Sequence, residues 1–216
     1  MTRRGAIVAL LSMALWLQAG ESAGHDPNQT GEHSGHPQGK PAESSSVERT
    51  KVSPPDLPVL TQDGKPVWFY SDLIRGRVVA VNFIYTTCTT VCPLLGVVFS
   101  QAQDLLGDRL GREVFLVSIS VDPVVDTPQR LKAWGAKFGF KPGWTMVTGK
   151  KADIDKLLRA FGVYTTNKDD HPPTVFIGDE PHGQWTRAYG LIPPTQLVGL
   201  LEAALAQPPT ATSAGK

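Results

Sequence analysis

Cysteine and unbalanced charge are both scarce in this chain. Two cysteines stand among 216 residues, and 21 Lys and Arg against 20 Asp and Glu leave a formal net charge of +1. Two cysteines exclude a disulfide-dense scaffold, a four-cysteine zinc site and an iron–sulfur cluster, so they act as one pair or not at all. Balanced charge, with no basic patch interleaved with aromatics, argues against a nucleic-acid partner. Long apolar runs are missing too. The uncharged stretch Ala6–Ala19 is fourteen residues, about 21 Å as a helix, against the ~30 Å of a hydrocarbon core.

That stretch follows Arg3 and Arg4 and precedes the small residues Ser22-Ala23-Gly24. Residues 1–24 therefore read as a secretory signal peptide, with an uncleaved N-terminal anchor as the alternative and as the chain's one route to a membrane. No cysteine follows the apolar stretch, which argues against a lipidated anchor. The implied compartment is extracytoplasmic and oxidising. Residues 25–51 are rich in Gly, Pro, Ser and charge and poor in large apolar side chains. They read as a disordered linker carrying His25, His33 and His36, imidazoles that can collect copper, nickel or zinc weakly. Residues 52–207 carry the regular patterning of one folded domain, and 208–216 read as a flexible tail.

Within the domain, Leu57–Leu60 reads as a short strand before the turn signal Asp63-Gly64. Val78–Tyr85 and Glu113–Val121 are nearly continuous β-branched and aromatic runs, as expected of strands buried on both faces. A helix is expected from Pro93 to Leu106. A second begins at Asp126-Thr127-Pro128, with Asp126 as its cap. Trp144–Val147 suggests a strand and Asp153–Phe161 a helix. Thr174–Ile177 and Gln184–Tyr189 form a hairpin, and Leu197, Leu200, Leu201 and Ala204 mark a last amphipathic helix. The order predicts a thioredoxin-like three-layer α/β/α sandwich with a mixed central sheet.

Cys88 and Cys92 fall where the first buried strand hands over to its helix, the place where α/β sheets gather functional groups. Helical residues four apart lie ~40° apart in angle and ~6 Å along the axis, so the sulfurs can reach each other or a common ion. A helix N-terminus favours the thiolate. Two thiolates suit a soft cation such as Cu(I), with imidazole the usual third donor. Spacing alone equally allows a redox-active pair, a disulfide without metal. Outside the linker the histidines are His171 and His182. His171 precedes Pro172-Pro173 in the loop expected to face the cysteines. His182 is expected in a solvent-exposed hairpin turn.

The runs VNFIYTTCTTVCP and SISVDPVVDTPQRLKAW, followed by a lone histidine before the hairpin, resemble the SCO/SenC family of copper-binding thioredoxin-like proteins over roughly residues 52–206. The resemblance implies one copper, as Cu(I), Cu(II) or both, held by Cys88, Cys92 and His171. It implies a metallochaperone that assists assembly of the copper centre of cytochrome c oxidase. Its partners would be the oxidase subunit carrying that centre or another copper chaperone, together with a thiol reductant. Its location would be the periplasm or the outer face of the inner membrane. Asp122 matches a family aspartate near the site. One departure stands out. The family usually places a small polar residue after the histidine, whereas Pro172-Pro173-Thr174 resembles the cis-proline loop of ordinary thioredoxins.

That departure adds weight to a thiol–disulfide oxidoreductase, in which one cysteine attacks a client disulfide and the other resolves it without His171. A peroxiredoxin-like peroxidase is a weaker alternative. Thr89-Thr90-Val91-Cys92-Pro93 resembles its peroxidatic element, but Tyr85 stands where an earlier proline is usual. A metal buffer built on the linker histidines is the remaining alternative.

Overall fold

The computed structural model describes residues 46–207, so the expectations for residues 1–45 and 208–216 lie outside it. The architecture grows from β4 (Val78–Ile84), whose seven residues are all buried. A strand buried on both faces needs partners on both edges and helices on both sides. β5 (Val114–Ser120) lies parallel on one edge, with Ile84 opposite Ser120, and β7 (Thr174–Asp179) lies antiparallel on the other, with Asn82 opposite Val175. β6 (Trp144–Thr148) continues the parallel side. β8 (Gln184–Tyr189) pairs with β7 as the expected hairpin. The sheet is thus mixed, as the sequence predicts.

Two edge strands were not expected. β1 (Val47–Thr50) pairs antiparallel with β8, and the Tyr189 N–H donates to the Ser46 carbonyl at 2.9 Å. It lies inside the 25–51 range assigned to the linker, which corrects that boundary. VERT carries no apolar periodicity because its side chains are mostly exposed and backbone pairing holds it. β3 (Pro66–Trp68) closes a hairpin on β2 (Pro58–Thr61) around the Asp63-Gly64 turn. The full order is β1-β8-β7-β4-β5-β6-β2-β3.

α1 (Val91–Leu106) ends at Gly107, whose φ of 53° a side chain would strain. α2 (Pro128–Ala136) is capped by Thr127, whose hydroxyl accepts the Arg130 N–H, with Pro128 at the first position. The cap is therefore not Asp126. α3 (Lys151–Ala160) and α4 (Pro194–Leu205) complete the set. No helix among the described residues is long and apolar enough to cross a membrane.

Alternation along β4 divides the core. Ala80 and Ile84 face one layer with Leu95 and Phe99 of α1, Trp134 of α2 and Leu201 of α4. Val81 and Phe83 face the other with Leu157 of α3 and a single π-helical turn, Phe69–Ile74. Phe161 centres that second layer, its ring edge-on to Phe83 at 5.4 Å and to Phe176 at 5.1 Å.

Two glycines give opposite expectations. A Cβ at Gly178 would sit 2.6 Å from the Trp185 ring, while one at Gly199, inside α4, meets nothing within 4 Å. Gly178→Ala should lower stability by about 1–3 kcal/mol through overpacking. Gly199→Ala should raise it by roughly 0.5–1 kcal/mol through helix propensity. Urea midpoints at unchanged slope measure both.

Candidate metal and thiol site

β4 ends in the middle of the sheet, and the chain must turn there without leaving buried donors unpaired. The Val121 N–H donates to the Ile84 carbonyl at 2.9 Å, and the Cys88 N–H donates back to Tyr85 at 3.1 Å. α1 then starts with Thr90 in the cap position, but the threonine hydroxyl makes no capping bond. The sulfur takes that role. The Cys92 N–H, one of the unpaired donors of the first turn, points at Cys88 Sγ at 3.4 Å, and Thr90 Oγ1 lies 3.7 Å from the same sulfur. Both thiols are free and buried, 7% and 3% exposed.

The two sulfurs are thereby made different. Burial pushes the Cys88 thiol up. The bonds it accepts from the Cys92 thiol, from the backbone N–H groups of Cys92 and Thr90, and from the Thr90 hydroxyl outweigh burial and bring it down to about 7. For Cys92, burial and donation to Cys88 act together, helped by the charge of Asp126, and hold it up at about 12. One sulfur is a ready nucleophile or ligand at neutral pH, and the other keeps its proton.

Asp126 lies beneath the corner, fully buried. It accepts the Thr86 N–H at 3.1 Å, the Thr86 hydroxyl at 2.6 Å and the Ser120 hydroxyl at 2.7 Å. Asp122 forms a 2.5 Å ion pair with Lys168, which ties the turn after β5 to the loop before β7. A second tie runs from the Tyr85 hydroxyl to Asp169 at 2.8 Å. Tyr85 and Asp126 lie in the runs quoted above, but those runs do not show what Tyr85, Asp126 or Lys168 touches, since their partners Asp169, Thr86 and Asp122 stand 40 or more residues away.

His171 is placed in the expected loop but on the other face of the sheet. Its ring packs on Phe83 at 5.5 Å, in the α3 layer, whereas the thiols lie in the α1 layer. It lines a cleft of about 290 Å3 with Val121, Asp122, Leu158 and Lys168. Among the described residues no three His, Cys, Asp or Glu side chains are grouped to hold a metal. The structure therefore brings Cys88 and Cys92 together, and His171 is not grouped with them. His171 Nε2 is buried with no hydrogen-bond partner. Burial pushes the imidazole down to about 4. His182 differs from expectation: its side chain is 8% exposed and its Nδ1 lies 2.6 Å from Asp179. The hairpin folds it back onto β7.

Two titrations follow. Alkylation of Cys88, read peptide by peptide, should rise with pH through a midpoint near 7 while Cys92 stays unreactive. The native His171 imidazole should remain neutral to about pH 4 by NMR. An unfolded chain takes up that proton near pH 6.5, so stability should fall as pH drops from 6.5 towards 4, by at most roughly 3 kcal/mol. His171→Asn should flatten that acid limb in urea titrations.

The SCO1/SenC family model matches residues 56–190. The SCO1 protein homolog of Bacillus subtilis (strain 168) is 35% identical over 103 residues, 46% of this chain and 52% of that one. The chain spans about half the length of the curated relatives it matches. Among solved structures, a SCO1/SenC family lipoprotein from Bacillus anthracis str. Ames superimposes with a TM-score of 0.63 at 26% identity, covering 74% of this chain and 98% of that one. Bradyrhizobium japonicum ScoI, solved with copper bound, gives 0.59 at 26% identity, covering 72% and 99%. A family model that matches most of the folded domain, on a fold onto which solved structures of that family superimpose, settles the relationship: this chain belongs to the SCO1/SenC family.

Proposed function

We propose that the chain binds one copper ion through Cys88 and Cys92, completes the shell with His171, and hands the ion on during assembly of the copper centre of cytochrome c oxidase. The observation that carries this reading is the pair of reduced sulfurs held at one helix start, the softest donor set in the domain. The copper-bound ScoI relatives support it, as does the unpartnered His171 Nε2, a donor atom with no other use for its lone pair. In this reading the loop before β7 brings the imidazole to the sulfurs when copper is bound. Copper would be released to the oxidase subunit or to another chaperone by ligand exchange. Because a disulfide cannot supply thiolates, loading in an extracytoplasmic compartment requires a thiol reductant.

A second reading rests on the split between the thiols. With Cys88 near 7 and Cys92 near 12, the pair is arranged for thiol–disulfide exchange, with Cys88 attacking a client disulfide and Cys92 resolving the mixed disulfide.

Anaerobic Cu(I) titration of the reduced chain separates the two. One equivalent should bind tightly, be lost in Cys88→Ser and Cys92→Ser, and weaken by about tenfold or more, 1.4 kcal/mol, in His171→Ala. Copper held no more tightly than by Cys88→Ser would overturn the metal reading. Reduction of a disulfide peptide at wild-type rate by His171→Ala, with loss in Cys88→Ser, would then establish the exchange reading.

A further inference from the structure

Asp126 is 0% exposed, and Thr127, not Asp126, caps α2. Its carboxylate is thus not occupied by the helix it precedes. It faces back across the top of the sheet. One oxygen takes the Thr86 hydroxyl at 2.6 Å and the Thr86 N–H at 3.1 Å, and the other takes the Ser120 hydroxyl at 2.7 Å. From the outer side, Arg130 Nε donates to Thr86 Oγ1 at 3.2 Å. The threonine hydroxyl therefore accepts from the guanidinium and turns its own proton to the carboxylate. Ser120 also accepts the Asp122 N–H at 3.1 Å, which aims its proton the same way.

Thr86 is two residues past β4 and two residues before Cys88. The backbone between them closes in one turn, Cys88 N–H to Tyr85 at 3.1 Å. Thr86 is held in that turn at both its N–H and its hydroxyl. The turn is what places Cys88 Sγ in front of the Cys92 N–H. We propose that Asp126 is the positioning residue of the thiol site, a buried clamp that ties Thr86 to the end of β5 and so holds Cys88 Sγ at the start of α1. It makes no hydrogen bond to either sulfur and acts on Cys88 through Thr86. The proposal rests on the thiol pair being the working site, whether for copper or for disulfide exchange.

The test uses the full-length reduced protein and two readouts. One is the rate of Cys88 alkylation by iodoacetamide at pH 7 without metal, and the other is Cu(I) affinity by competition with a chromophoric chelator. Asp126→Ala should slow alkylation by about fivefold or more, because the sulfur loses its N–H donor and its thiolate character. It should also weaken Cu(I) binding by about tenfold or more. Asp126→Asn keeps an oxygen that can accept both Thr86 donors, and it should recover most of both readouts. Thr86→Val, which removes only the clamped hydroxyl and should fold in any case, should lie between. Leu201→Ala, a core truncation on α4, should lower the melting temperature and leave both readouts unchanged. If folded Asp126→Ala and Thr86→Val both alkylate within twofold of wild type, the clamp does not position Cys88. If Asp126→Asn is as impaired as Asp126→Ala, the charge matters and the clamp does not, which also overturns the proposal. A wild-type chain that takes up no Cu(I) would sink the copper reading, and the alkylation arm would still decide the role of Asp126.

Discussion

The structure turns on the way a strand ends. β4 is buried along its whole length and lies at the centre of an eight-stranded sheet, so where its ladder stops every donor still needs an acceptor. Three different acceptors are supplied to the donors of residues 86–92. The Thr86 N–H goes to a buried carboxylate, the Cys88 N–H to a carbonyl, and the first-turn donor of α1 to a sulfur. Satisfying the backbone and activating the thiol are one event. The group that would ordinarily be a serine or aspartate at a helix start is here a cysteine side chain, and the same bond that pairs the N–H stabilises the thiolate.

The two faces of the sheet then carry different parts of the site. The sulfurs belong to the layer of α1, α2 and α4, and His171 to the aromatic layer around Phe161. The loop that carries His171 is tied to the sheet twice, by Lys168 to Asp122 after β5 and by Asp169 to Tyr85 after β4. Both ties are side-chain contacts at partly exposed positions, the class of interaction that contributes little to global stability. The imidazole at the far side has traded solvation for contact with Phe83 and is held neutral by its burial. A neutral imidazole is the form that donates a lone pair to a metal.

Much of this is legible in the sequence. β4 and β5 are legible because strands buried on both faces cannot hide their apolar runs, and Cys88, Cys92 and His171 stand out as candidates by type and by place relative to those strands. What was missed shares a physical cause. β1 is held by backbone pairing at an edge, so VERT shows no periodicity. Asp126 and Thr127 are adjacent and both are good cap residues, and only the direction of the chain into α2 decides which hydroxyl or carboxylate meets the Arg130 N–H. His182 looked exposed because a turn of Pro and Gly usually is, yet the hairpin carries it onto Asp179. The face on which His171 rests could not be read from its neighbours in sequence, since it is set by Phe83 and Leu158, from other elements.

The unexpected strand β1 also fixes where the described chain joins the sheet. It runs antiparallel to β8, with Val47 opposite Ala188 and Ser46 bonded to Tyr189. Tyr189 lies opposite Thr174, three residues from His171. The chain therefore enters the domain at the end of the sheet that carries the thiols. From β1 to β4 is three strand spacings, about 14 Å at 4.8 Å each. Ser46 and the thiols thus share one end of the sheet, and the Glu180–His182 turn between β7 and β8 lies at the other.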